Sequence, residues 1–272
     1  MRPQFLTKFI EMKISSIKNI LVASAIAALI TACGEEHNLL KDVETAQGAR
    51  VKFIHAAPDA AGVALFVNDK KFSGVITTPP ATPGVITYGN VYPAIDYAIV
   101  EAGAAKARLT VPASSTAAEV VLFDGSVPVE ADKYYSVFAT GIAPTYGAVV
   151  IPDNIPAFND RQLFFRVVNM VPNSTSVGVT VAGTTIAEKV EFGKASSFVP
   201  LTLPADFKGG AIAISGFTTK VEGAANVTAS VTTNFTGLTA GRAITFVVRG
   251  VLPTSTTTTS KFPVTISTYN NR

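Results

Sequence analysis

The sequence has few side chains that could do chemistry: it holds two histidines and one cysteine. His55 and Asp59, four residues apart, are the pair that could suggest acid–base work. No third group stands at a spacing that would orient them. A competing reading is structural. Pro58-Asp59 makes a turn whose carboxylate bonds nearby backbone amides, while His55 closes the end of a strand. An internal repeat, set out below, places Asn169 and Asn173 at the equivalent positions. Amides keep the hydrogen-bonding capacity and lose the titrating one, so the pair is expected to be structural and no catalytic residue is assigned.

Other chemistry is absent or faint. Nothing matches a phosphate-binding loop, a dinucleotide-binding glycine run, a nucleophile elbow or a zinc-protease helix. Metal clusters fail for want of Cys and His, acid-rich calcium loops are missing, and no metal or cofactor is expected. Asp96 and Glu101 read as solvated or turn residues. Asn173, Asn226 and Asn234 open glycosylation-like triplets that are incidental in a Thr-rich β-protein. Thr254 to Ser260 reads as an exposed loop, with an O-glycosylated or contact loop as the alternative. Tyr88, Tyr92, Tyr134 and Tyr135 could offer aromatic surface to a sugar or a protein. Strand alternation places at least half of them in the core, and the lack of tryptophan weakens a carbohydrate reading.

The one cysteine, Cys33, ends a leader. Arg2, Lys8, Lys13 and Lys18 precede an uncharged apolar run, Ile20 to Ala32, which closes on Ile30-Thr31-Ala32-Cys33. This is the order of a secretory signal peptide, and the run is too short for a membrane span of roughly 20 residues. Met12 begins a better-proportioned leader than Met1 does. The last four residues resemble the lipobox of bacterial lipoproteins. That resemblance implies cleavage before Cys33 and acylation of Cys33, with a membrane as partner through the lipid. With no second cysteine, no intrachain disulfide can form.

Removing residues 1–32 also changes the charge. They hold four of the 22 basic and one of the 19 acidic residues, which leaves 18 of each. The basic excess belongs to the leader, so no nucleic-acid partner is expected. Residues 33–48 read as a lipidated, acidic tether. Glu35 and Glu36, just after Cys33, resemble the surface-export signal of Bacteroidetes lipoproteins. The resemblance implies the outer membrane and its outward leaflet, with the periplasmic leaflet as the alternative.

The elements that would position any site come in two copies. Arg50 to Asp59 aligns without gaps on Phe164 to Asn173, at an offset of 114 residues. Tyr88-Gly89 matches Phe192-Gly193 at an offset of 104, and Asp132 to Gly141 matches Gly241 to Gly250 at 109. The first copy carries an insertion around Pro79 to Gly84. A tandem duplication follows, with repeats at 49–155 and 160–272, each long enough to bury a core. The short connector predicts domains that touch or swing over a limited range.

Period-two patterning dominates both copies. Val51, Phe53 and His55 would share one strand face, with Lys52 and Ile54 on the other. Asn68-Asp69 and Ala182-Gly183 mark equivalent hairpin turns. The fold class is all-β: two tandem antiparallel β-sandwiches, immunoglobulin-like or transthyretin-like, after a lipoprotein signal peptide.

The run Arg50-Val51-x-Phe53-Ile54-His55-Ala56-Ala57-Pro58-Asp59-Ala60, followed by Val63-x-Leu65-Phe66-Val67-Asn68, resembles the opening of domain of unknown function 4397. That family implies a fold and a place on bacterial surface lipoproteins, often in tandem, but no activity. The functional expectation is a non-catalytic, membrane-anchored envelope lipoprotein for surface adhesion, ligand binding or structure, with a protein or glycan partner. The alternative is an accessory subunit of a larger envelope complex, such as a transport or polysaccharide system.

Overall fold

The computed structural model describes residues 47–72, 84–181, 183–224 and 227–272. The leader 1–32, Cys33, nearly all of the tether, Pro79 to Pro83, Ala182 and Asn226 lie outside the described residues. Among the described residues, nine strands come from the first repeat. They are β1 Ala49–His55, β2 Ala64–Val67, β3 Lys70–Lys71, β4 Val91–Tyr92, β5 Ala98–Val100, β6 Gly103–Val111, β7 Val120–Val129, β8 Tyr134–Ile142 and β9 Thr145–Pro152. Eight come from the second: β10 Gln162–Met170, β11 Ser174–Val181, β12 Thr184–Val190, β13 Val199–Thr202, β14 Ile212–Gly223, β15 Thr228–Leu238, β16 Ala243–Arg249 and β17 Thr265–Asn270.

Each repeat folds its strands into two sheets. The first has an inner sheet ordered β4-β1-β8-β9, with β5 also on β1, and an outer sheet ordered β3-β2-β6-β7. The second repeats the plan, with β13-β10-β16-β17 inside and β12-β11-β14-β15 outside. Val51, Phe53, Leu65, Leu109 and Val137 fill the first sandwich. In the second, Phe165, Val167, Val179, Phe217 and Phe246 do so, with the Phe217 and Phe246 rings stacked 4.2 Å apart. One tight turn lies where the sequence put it: Asn68 and Asp69 sit at φ 50° and 60° between β2 and β3, the left-handed pair of a two-residue hairpin.

One expectation needs correction. The sandwiches are not wholly antiparallel, because β1 pairs with β8, and β10 with β16, in parallel. Between β1 and β8 the chain builds the outer sheet and adds β4 and β5 to the inner one, then lays β8 beside β1 in the same direction. Such a crossover is what parallel pairing requires.

The two inner sheets also pack on each other, giving the order outer, inner, inner, outer. Ile54, Ala56, Phe138 and Ile151 of the first repeat form one apolar cluster with Val168, Met170, Val247 and Tyr269 of the second. By the sequence offsets Ile54 corresponds to Val168, Ala56 to Met170 and Phe138 to Val247. The shared core therefore takes the same positions from both sides. Residues 47–272 form one compact unit, a tighter association than a short linker alone would give. Strands buried on both faces explain the near-continuous apolar runs of β1 and β10.

Candidate functional site

His55 ends β1 with no exposed surface. Its Nδ1 accepts the Ala57 N–H at 3.3 Å and its Nε2 lies 3.1 Å from the Ala61 carbonyl. These contacts fit the neutral ring with its proton on Nε2. Burial depresses its pKa below the ordinary imidazole range; the Ala61 carbonyl opposes this and Arg249 adds to it. Asn169 repeats the arrangement. Its Oδ1 accepts the Val171 N–H at 2.9 Å and its Nδ2 donates to the Val190 carbonyl at 2.9 Å.

Pro58 and Asp59 do form a turn, but the Asp59 carboxylate bonds outside it. Its Oδ2 accepts the N–H of Ala143, 84 residues on, at 2.8 Å. In the second repeat Asn173 Oδ1 takes the Leu252 N–H at 2.9 Å. Both residues tie the turn after the first inner strand to the chain leaving the second. His55 and Asp59 are thus engaged with separate backbone groups and do not form an acid–base couple.

The polar groups brought together lie between the inner sheets. Lys52 and Arg166 occupy equivalent places in β1 and β10, and both are buried. Each reaches into the other repeat. Lys52 Nζ donates to the Asn270 carbonyl at 3.0 Å, and Arg166 Nη1 to the Pro152 carbonyl at 3.3 Å. Those carbonyls end the edge strands β17 and β9, so each buried cation satisfies an edge group of the opposite sheet.

Hydrogen bonds continue the exchange. Arg166 also pairs with Asp153, a fully buried ion pair. Ser136 Oγ donates to Asp153 Oδ2 at 2.7 Å, as Thr245 Oγ1 does to Asn271 Oδ1 at 2.6 Å. Tyr97 joins the two halves, donating to Asp153 at 2.6 Å and accepting from Asn271 Nδ2 at 2.7 Å. The chain therefore carries a pseudo-two-fold axis, broken in charge because Asn271 stands opposite Asp153. Among the described residues Lys52 makes no ion pair. Burial lowers its pKa to about 8, against the opposing pull of Asp96 and Asp153.

Two open clefts flank this core and obey the same symmetry. One, of about 540 Å³, lies between Val150 to Pro156 of the first repeat and Gly193 to Phe198 of the second, with Arg166 in its lining. The other, of about 570 Å³, lies between Gly89 to Ala94 of the first and Thr268 to Asn270 of the second. Each joins the end of one repeat's last strand to the other repeat's segment before its edge.

Residues 49–170 match the model of a family described as Domain of unknown function (DUF4397). This segment is similar to that family. The DUF4397 match takes in every described strand of the first repeat and runs on through β10. No curated protein matches the chain. Among solved structures, a candidate cell adhesion protein of Bacteroides fragilis is 14% identical, with 81% of this chain and 97% of that one covered, at a TM-score of 0.20. A second candidate cell adhesion protein, from Parabacteroides distasonis, is 9% identical, with 82% and 97% covered, at a TM-score of 0.17. At those scores neither likeness bears on fold or function.

The remaining sequence candidates separate. Asp96 and Glu101 are exposed, Tyr135 is buried, Tyr88 and Tyr92 are half-buried, and Tyr134 sits at the surface. Among the described residues no group of three or more His, Cys, Asp or Glu could hold a metal. Sequence reasoning missed Lys52, Arg166 and Asp153. The signal was present: the gapless alignment sets one cation on another inside two apolar runs.

Proposed function

We propose that this chain is a non-catalytic protein of the bacterial cell envelope, held to the outer membrane by lipid on Cys33. Its two repeats act together as a surface adhesion or ligand-binding module. The observation that carries the reading is the pair of open clefts, each walled by both repeats. Ligand sites commonly form in clefts between packed units. The engagement of His55 and Asp59 with backbone groups, mirrored by Asn169 and Asn173, supports a role without proton transfer. The leader ending at Ile30-Thr31-Ala32-Cys33 supports the anchor.

Metabolic labelling with a fatty-acid analogue tests the anchor. Wild type should take label and Cys33→Ala should not; equal label on both would sink it. Protease added to intact cells should degrade the protein, whereas full protection would place it in the leaflet facing the periplasm. A glycan and protein array probed with the purified chain should show a ligand, and an array without any would count against a binding module.

A further inference from the structure

The two clefts began as copies and have diverged, and the divergence has a direction. Lys194, Ser197 and Phe198 line the cleft beside Arg166; at the same offsets stand Asn90 and Ala94, which line the other cleft, and Pro93, which does not. The Asn90 amide is spent on Thr87 at 2.7 Å. By contrast Lys194 is exposed and makes no ion pair among the described residues. Among the described residues the Ser197 hydroxyl and the Asn154 amide in this cleft make no side-chain hydrogen bond, Ser197 being engaged through its backbone carbonyl. No carboxylate lines it, because Asp153 is buried beneath and held by Arg166, Ser136 and Tyr97. Phe198 supplies a ring, with the Arg166 guanidinium 4.9 Å from its centroid.

We propose that the cleft lined by Lys194, Ser197, Asn154 and Phe198 binds an acidic saccharide. The uronate carboxylate meets Lys194, ring hydroxyls meet Ser197 and Asn154, and a sugar face lies against Phe198. A cavity of about 540 Å³ falls within the usual range for small ligands. An extended acidic peptide fits less well. Pairing onto the edge of β9 is blocked here, since Pro152 has no N–H and its carbonyl is already taken by Arg166. The other cleft has no lysine or arginine in its lining, and the Arg249 guanidinium beside its Gly89 is engaged by the Tyr88 ring and Ser267, so it is the weaker anion site.

This inference rests on the binding-module reading, and the test separates the two. The full chain, purified in detergent, is titrated calorimetrically with tetragalacturonate, with neutral maltotetraose and with a tetraglutamate peptide. Tetragalacturonate alone should bind, less tightly as ionic strength rises. Lys194→Glu should weaken it by roughly ten-fold or more, the scale of one charge-assisted hydrogen bond. Ser197→Ala should weaken it less, and Asn90→Glu in the other cleft should leave it unchanged. Equal binding of maltotetraose, binding of the peptide alone, or indifference to Lys194→Glu in a folded protein would each overturn the proposal. A chain that binds other ligands on the array but no uronate overturns this site and leaves the module standing. A chain that binds nothing overturns both.

Discussion

His55 is a buried imidazole whose work an amide does in the second repeat, and that equivalence can be tested. His55→Asn should cost roughly 0–1.5 kcal/mol, the scale of one hydrogen bond. His55→Leu should cost about 1–3 kcal/mol, because the Ala57 N–H and the Ala61 carbonyl lose their partner inside the protein. Denaturant midpoints of the full chain measure both. The depressed pKa of His55 fixes a sign as well. Its neutral form is favoured by folding, so the wild-type contribution is complete above the unfolded pKa and is lost as pH falls through the folded one. The advantage of wild type over His55→Asn should shrink on acidification below about pH 6.5. An advantage that grew there would refute the buried neutral ring. Lys52 runs the same way at higher pH. With its folded pKa near 8 against 10.5, the unfolded chain holds more protons between those values. The stability of wild type relative to Lys52→Met should therefore rise from pH 8 towards pH 9.5, and a flat difference would mean that the amine is better solvated than its burial implies.

At the level of strands, alternation was readable and its meaning was not. Val51 and Phe53 do share a face with His55, and Lys52 and Ile54 do share the other. Period two identifies two faces but does not say that both are buried. For a lone sandwich the second face meets water; here it meets another sheet, which is why β8 is buried from Tyr135 to Thr140. The parallel pairing of β1 with β8 was hidden for a related reason, since strand direction depends on a return path that no local pattern encodes. Phe138 separates the two pictures. It lies on the face away from its own sandwich core and has no exposed surface. Phe138→Ala should cost about 3–5 kcal/mol, as for an ordinary core phenylalanine. A loss under about 1 kcal/mol, the range of surface substitutions, would mean that the inner sheets do not pack as described.

Across the whole molecule, the two halves aligned in the sequence take the same sheet order, while the clefts became visible only once the halves were assembled. Each cleft draws its walls from segments more than 30 residues apart in sequence. No spacing rule connects Pro152 to Phe198, or Ala94 to Thr268. The symmetry between the repeats makes a prediction about the separated halves, 49–155 and 160–272. Each carries the apolar inner face, centred on Ile54 and Phe138 in one and on Val168 and Val247 in the other. Because that interface is self-complementary in position, each half should keep β-type circular dichroism and pair with itself. Sedimentation should show dimers. Two stable monomers would mean that the inner faces contribute little to either half.

The place of β1 has a mechanical consequence. It is hydrogen-bonded on both sides, to β4 and β5 along one edge and to β8 over six consecutive registered pairs along the other. A pull on the chain ahead of Ala49, directed along the strand and resisted by the rest of the body, loads the β8 ladder in shear. Its bonds must then slip together instead of opening one after another. Rupture under force is governed by the rate of unfolding rather than by equilibrium stability. A strand clamped in this way suits a body that is held at one end and tugged at the other.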